Sequence, residues 1–164
     1  YDIKIVDADN VLVYNMRNGG TKKIDFNVKD TIVIHHSIFD MIKSSTKLNS
    51  KRIECISSQF DSPSSDIYIN TNKINLYNTH IEASKINIIA DECITGPITM
   101  LKASELINIK HKNCNNFDRI SAPMIIYNDV VITDKKDMKN DFENKKINNE
   151  ENTYDKAICK VLKK

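Results

Sequence analysis

The sequence predicts a mainly β chain of stacked short-strand repeats, parallel β-helix-like or alternatively a β-roll or sandwich, with a short C-terminal helix. Three observations predict it. Apolar and polar residues alternate with period 2 along most of the chain up to Thr133, which is the signature of strands with one buried face. The middle of the chain repeats itself, and helical periodicity is confined to the last dozen residues.

The first element is expected to be a hairpin. Ile3, Ile5, Val11 and Val13 alternate, Asn18-Gly19-Gly20 interrupts, and Ile24, Phe26 and Val28 resume the pattern. Asn-Gly and Gly-Gly supply the positive φ that a tight turn between antiparallel strands requires. A strand over Thr31 to His36 follows, and Ser37 to Lys47 reads as a short helix or covering loop built on Ile38, Phe39, Met41 and Ile42.

From Leu48 to Thr133 short apolar pairs are separated by Asn, Ser, Thr and Asp. Written in twelves, the centre reads KINLYNTHIEAS (Lys73 to Ser84), KINIIADECITG (Lys85 to Gly96) and PITMLKASELIN (Pro97 to Asn108). This alignment predicts that Ile74, Ile86 and Ile98 share one buried column. It also puts Lys73 over Lys85, His80 beside Glu92 and Ile81 beside Cys93. Units that cannot bury an apolar face alone must stack, and the stack becomes the core. With only three glycines in the chain, the corners are expected to fall on Asn78, Asn108, Asn113, Asn115, Asn116 and Asn128, since Asn tolerates the left-handed region.

On these residues the run Lys73 to Asn108, with its I-x-I and I-x-A rhythm, resembles the adhesin-like β-helical repeats of bacterial domains and of the shafts of filamentous haemagglutinins. The resemblance extends over about Leu48 to Thr133 and implies a right-handed stack of short parallel strands, usually without catalytic activity. The Gly and Gly-Asp corners that such repeats favour are missing here, and no functional residue carries over.

The tail differs. Asp134 to Lys164 holds nine lysines and seven acidic residues in 31 positions, so residues 134–152 read as a charged linker after a β domain of residues 1–133, itself a hairpin region (1–47) and a repeat stack (48–133). Residues 153–164 read as an amphipathic helix. Tyr154, Ile158, Val161 and Leu162 recur at i, i+4, i+7 and i+8, and Thr153 is placed to cap its start. Three turns are marginal alone, so these four residues are the expected partner-binding face, docking on an end of the stack or on another chain.

Composition narrows the function. With 24 basic and 22 acidic side chains the net charge of +2 lacks the basic footprint of a nucleic-acid binder, and no aromatic platforms separate Lys73, Lys85, Lys102, Lys110 and Lys112. No apolar run approaches the ~18 residues of a membrane helix. Residues 1–9 carry alternating charge rather than a leader pattern, and Cys55, Cys93, Cys114 and Cys159 are widely spaced. Free buried thiols and a cytoplasmic location are expected.

Candidate chemistry is sparse. On a strand His35 and His36 would point to opposite faces, one half-buried and one exposed. A metal cluster of His80, Glu92, His111 and Cys114 is the best available, but structural roles suit these residues better, so no metal, cofactor or catalytic residue is expected. Glu82, Glu92 and Glu105 occupy different positions of their units, and Asp61 and Asp66 flank Ser62-Pro63-Ser64-Ser65 as an exposed loop. The expected function is a non-enzymatic scaffold or interaction module with a protein partner or self-association; a small-molecule ligand is left open. The alternatives are a carbohydrate-active β-helix enzyme, which needs two carboxylates within reach of each other, and a lipid-binding β-roll of the lipopolysaccharide-transport type, which needs an open apolar interior.

Overall fold

Ile3, Ile24, Thr46, Ile67, Ile86 and Ile107 follow one another at sequence steps of 21, 22, 21, 19 and 21 residues, and each is the Cα partner of the next on a neighbouring parallel strand. That offset sets the architecture. The computed structural model describes residues 2–40, 42–96, 98–115 and 119–132, with backbone alone for 113–115. It is a parallel β-solenoid of about six turns, and the described residues contain strands and no helix.

The strands are β1 (Asp2–Tyr14), β2 (Arg17–Gly19), β3 (Lys23–His35), β4 (Ile38–Asp40), β5 (Thr46–Ile56), β6 (Gln59–Tyr77), β7 (His80–Thr95), β8 (Met100–Asn115), β9 (Ile120–Ser121), β10 (Met124–Tyr127) and β11 (Val130–Ile132). Pairing runs β1-β3-β5-β6-β7-β8-β10-β11, with β2-β4-β6 and β8-β9 beside it. Every pair is parallel except β10 with β11, which a turn at Asn128 and Asp129 (φ 48° and 66°) folds back as a hairpin.

Register breaks, such as those between Asn27 and Thr31 and between Ser62 and Asp66, cut each coil into three faces. In the second coil these are residues 23–27, residues 31–35 and β4. Each face contributes inward columns. The first face stacks Ile24, Thr46, Ile67, Ile86 and Ile107, and beside them Phe26, Leu48, Ile69, Ile88 and Ile109. The second stacks Ile32, Ile53, Ile74 and Cys93, and beside them Ile34, Cys55, Leu76 and Thr95. The third stacks Phe39, Phe60, Ile81, Leu101 and Ile120, with the rings of Phe39 and Phe60 5.0 Å apart and 14° from parallel. β-Branched side chains dominate because they pack well on a pleated surface and lose little rotamer freedom there. These columns fill the interior with side chains, which is the opposite of an open lipid-binding roll.

The corner between the second and third faces is built alike in successive coils. Asn15, His36, Ser57 and Asn78 all adopt positive φ, at 52°, 50°, 48° and 46°, and lie 21 residues apart. Their backbone N–H groups reach the next coil, Asn15 to His35 O (3.1 Å), His36 to Ile56 O (2.9 Å) and Ser57 to Tyr77 O (2.9 Å). The residue after His36, Ser57 and Asn78 turns inward, whereas Met16 after Asn15 stays exposed. Ser37, Ser58, Thr79 and Thr99 are buried hydroxyls that donate to backbone carbonyls: Ser37 Oγ to His35 O at 2.9 Å, Ser58 Oγ to Ile56 O at 2.9 Å, Thr79 Oγ1 to Cys55 O at 2.9 Å and Thr99 Oγ1 to Leu76 O at 3.1 Å. In return Ser37 Oγ accepts from Met16 N and Ser58 Oγ from Ser37 N.

Several expectations are corrected here. No hairpin forms at residues 18–20: β1 pairs with β3 in parallel, because an offset of 21 on both faces keeps Ile3, Ile5, Val11 and Val13 on the same side as Ile24, Phe26, Ile32 and Ile34. Residues 37–47 hold β4 and the start of β5 instead of a helix. The column Ile74, Ile86, Ile98 does not exist. Ile74 lies between Ile53 and Cys93 on the second face, Ile86 lies between Ile67 and Ile107 on the first, and Ile98 is a turn residue, 45% exposed. The twelve-residue similarity linked one face to a different face of the next coil, since the I-x-I pattern recurs once per face and not once per turn. Asparagine makes the corner at Asn78 and Asn128, whereas Asn108, Asn113 and Asn115 are strand residues of β8. The expected helix at 153–164 and linker at 134–152 lie outside the described residues.

The 21-residue register gives a direct test against the twelve-residue one. Ile86→Ala, at a fully buried position, is expected to lose about 2–5 kcal/mol in urea unfolding, while Ile98→Ala stays within about 0.5 kcal/mol of the parent. Equal losses would restore the shorter repeat.

Candidate functional site

The residues with most chemistry gather on the outward side of the third face. There the register runs Gly19–Asp40, then Asp61–Glu82–Lys102–Ser121, and the pairing of Phe39 with Phe60 sets Asp40 beside Asp61. Asp40, Asp61 and Glu82 are thus three carboxylates on successive rungs, about 4.8 Å apart along the stack. Alternation explains the placement: Phe39, Phe60 and Ile81 point inward, so the residue after each points out.

Like charges at this spacing raise the energy of the ionised form. Glu82 is compensated, with Lys102 Nζ 3.8 Å from Oε1 and His80 Nε2 3.9 Å from Oε2. The carboxyl of Asp61 is held above its ordinary range by partial burial, and then by the charges of Glu82 and Asp40; His80 acts the other way. The arrangement therefore sets a carboxyl whose ionisation is opposed beside an ion-paired carboxylate.

A polar trough adjoins it. Three residues beyond Asp61 the chain rounds the corner into the first face, and Ser44, Ser45, Lys47, Ser64, Ser65, Asp66 and Tyr68 line an open depression of about 690 Å³. Ser62 and Ser65 anchor this corner by donating to Ile42 O, each at 3.3 Å. Tyr68 O–H donates to Asp66 Oδ2 at 3.1 Å, and that hydrogen bond raises the phenol above its ordinary range. Hydroxyls, one ammonium, one carboxylate and the edge of an aromatic ring make the lining uncharged on balance.

The residues singled out from sequence are scattered. His35 is half-buried and outward, with Nε2 3.6 Å from Glu54 Oε2, and His36 is exposed at a corner. That matches one half-buried and one exposed imidazole, although a positive-φ corner separates them instead of strand alternation. His80 pairs with Gln59 and Met100, Glu92 with Lys73 and Asn113, and His111 with Ala90, so His80, Glu92, His111 and Cys114 are not brought together. Lys73 and Lys85 do not stack: Lys73 Nζ lies 3.8 Å from Glu92 and Lys85 Nζ 3.7 Å from Glu105. Among the described residues no group of His, Cys, Asp and Glu has metal-holding geometry. Cys55 and Cys93 are free and buried, and burial pushes the Cys55 thiol up to about 12. Tyr154, Ile158, Val161 and Leu162 lie outside the described residues. Asp61 and Asp66 do not flank a free loop, since β6 runs through both and buries Ser62 and Ser65. The acidic ladder itself went unread in the sequence, and its signal was the spacing of 21 between positions 40, 61 and 82.

No family model, no curated protein and no solved structure matches the chain. No helix among the described residues is long and apolar enough to cross a membrane.

The folded chain holds Asp61 more protonated than the unfolded chain does. Its ionisation therefore opposes folding at neutral pH, and the penalty fades as pH falls through the ordinary carboxylate range. Asp61→Asn is expected to stabilise at pH 7 by no more than about 0.5 kcal/mol, since the group is only partly buried and solvent screens it, and to have no effect at pH 3. Thermal unfolding at the two pH values checks both the sign and its disappearance; a loss of stability at pH 7 would mean that Asp61 makes a favourable contact instead.

Proposed function

We propose that the chain is a non-enzymatic structural scaffold or protein-interaction module built on a β-repeat stack, with its contact edge on the first coil. One observation carries this reading. β1 is a 13-residue strand paired on one side only among the described residues. Free N–H and C=O groups along such an edge template pairing with a further strand. The first coil also carries four exposed apolar side chains, Val6, Leu12, Tyr14 and Met16, with Leu12 69% exposed. The occupant that fits is a β-strand of a protein, laid in register on β1 with side chains that continue the Leu12 and Tyr14 rows. The adhesin-like identity suggested by residues 73–108 is the finer form of the same proposal, a shaft that is extended by adding coils.

The test uses a second copy of the chain as the probe. Sedimentation over a wide concentration range is expected to give reversible association for the parent chain and a monomer for Leu12→Lys with Tyr14→Lys, which places charge on the edge. Association unchanged by the two lysines would move the contact elsewhere, and a parent chain monomeric at every concentration would rule out self-pairing through β1.

A second reading, action on a carbohydrate polymer, is favoured by the Asp61 carboxyl beside Glu82 and the adjoining Ser64, Asp66 and Tyr68 trough. Hydrolysis of a neutral polysaccharide that disappears in both Asp61→Asn and Glu82→Gln would favour it over the scaffold.

A further inference from the structure

The trough beside Tyr68 is built by two long corners lying side by side. Between the inward column of the third face and that of the first, the chain takes seven residues in two successive coils, Phe39 to Thr46 and Phe60 to Ile67, but five in the next, Ile81 to Ile86. The difference is taken up at the register shift between Ser62 and Asp66, and it accounts for the step of 19 from Ile67 to Ile86. The longer corners supply Ser44 and Ser45 from one coil and Ser64 and Ser65 from the next, and these wall the depression of about 690 Å³. None of the described hydrogen bonds uses the hydroxyls of Ser44, Ser45 or Ser64.

The rest of the lining is the outer surface of the first face. Lys47 and Tyr68 are Cα partners on adjacent rungs, and Asn87 follows Tyr68 in the same outward row. The next outward row is an amide ladder of Asn27, Asn49 and Asn70, in which Asn49 Nδ2 donates to Asn27 Oδ1 at 3.0 Å. Tyr68 is 41% exposed and its hydroxyl is tethered to Asp66 Oδ2, so the ring is held in place with part of its carbon surface open to a ligand.

Charge and polarity select the ligand class. Lys47 and Asp66 cancel within the lining, and the carboxylates of Asp40 and Asp61 stand round the same corner, which disfavours a phosphate or another anion. A cation would meet the Lys47 ammonium, and among the described residues no group has metal-holding geometry. The volume falls within the ~300–1,000 Å³ of small-molecule sites, but those are lined mainly by apolar side chains, and here the Tyr68 ring is the one such surface. A ligand that is uncharged, covered in hydroxyls and apolar on one side meets all of these conditions. We infer that the trough binds an uncharged saccharide, with the C–H side of one sugar ring against Tyr68 and its hydroxyls bonded to Ser44, Ser45, Ser64 and Lys47. This stands apart from the scaffold reading. It shares only the ligand class with the hydrolysis reading, since binding here requires neither Asp61 nor Glu82.

Nuclear magnetic resonance titration of the full chain with uncharged hexasaccharides, one of glucose and one of N-acetylglucosamine, tests the assignment. At least one of them is expected to shift amides of residues 43–47 and 64–68 while the outward strands of the second face stay unchanged. Tyr68→Ala should weaken that binding by about tenfold or more, the loss of an aromatic stacking partner. Tyr68→Phe, which keeps the ring, should stay within about threefold of the parent, and Lys47→Ala, which removes one hydrogen-bonding group, should lose about threefold. Asp61→Asn and Glu82→Gln should bind as the parent does, whether or not they abolish hydrolysis. Absence of shifts with both sugars would overturn the proposal, as would binding that Tyr68→Ala leaves intact. Tighter binding of an acidic hexasaccharide would make this an anion site, and binding lost in Asp61→Asn would move the ligand to the third face; either result contradicts the assignment.

Discussion

The shared corner is the constraint on which the stack depends. A parallel solenoid works only if every coil returns to the same register, and three of the described steps return after 21 residues because Asn15, His36, Ser57 and Asn78 reverse the chain in one left-handed residue. The reversal strands polar groups where the second-face strand stops. Buried backbone carbonyls without partners are expensive, and the hydroxyls of Ser37, Ser58, Thr79 and Thr99 supply donors at those points. His36 and Ser57 are unusual residues at positive φ, so strain of about 1 kcal/mol each is held by the inter-coil hydrogen bonds around them. Residue identity is looser at the turning position than at the next one, where only Ser and Thr occur from Ser37 to Thr99.

Once the register is fixed, the columns and the surface follow. Inward positions meet inward positions at every level, and isoleucine occupies one column from Ile67 to Ile107. Outward positions meet across rungs as opposite charges, Lys73 with Glu92, Lys102 with Glu82 and Lys85 with Glu105. Each exposed pair is worth between nothing and about 1 kcal/mol, so these pairs favour the right register over a shifted one more than they add stability. The acidic ladder of Asp40, Asp61 and Glu82 breaks this complementarity, which makes the third face distinctive. Among the described residues β1 stands at the edge of the sheet, paired on one side only.

Alternation made the strands and the β-repeat class legible, because burying one face imposes period 2 whatever the topology. The period of the stack was not, since three faces per coil each carry the same I-x-I pattern and the nearest similarity, from Ile74 to Ile86, crosses between faces. Asn18-Gly19-Gly20 suggested a hairpin by its turn chemistry, but β2 continues through Asn18 and Gly19, and Gly20 (φ 74°) serves a corner of the coil. The short apolar group around Phe39 could not be told from a helix because a three-residue strand has too few positions to show a period. The ladder at 40, 61 and 82 and the corner at 15, 36, 57 and 78 share the spacing that would have revealed both. Only the corner residues differ in type, so no single amino acid marks them.

Thr79 and Thr46 separate the corner's contribution from that of burial. Both are fully buried; Thr79 Oγ1 lies 2.9 Å from Cys55 O and 3.0 Å from Tyr77 O, whereas Thr46 Oγ1 sits without a partner in the column between Ile24 and Ile67. Urea unfolding of Thr79→Val and Thr46→Val, each close to the parent in shape, is the direct measurement. If the hydroxyl corner holds the coils in register, Thr79→Val loses about 1–3 kcal/mol and Thr46→Val loses nothing or gains stability. A Thr79→Val chain as stable as the parent would contradict the account and leave the apolar columns to set the register by themselves.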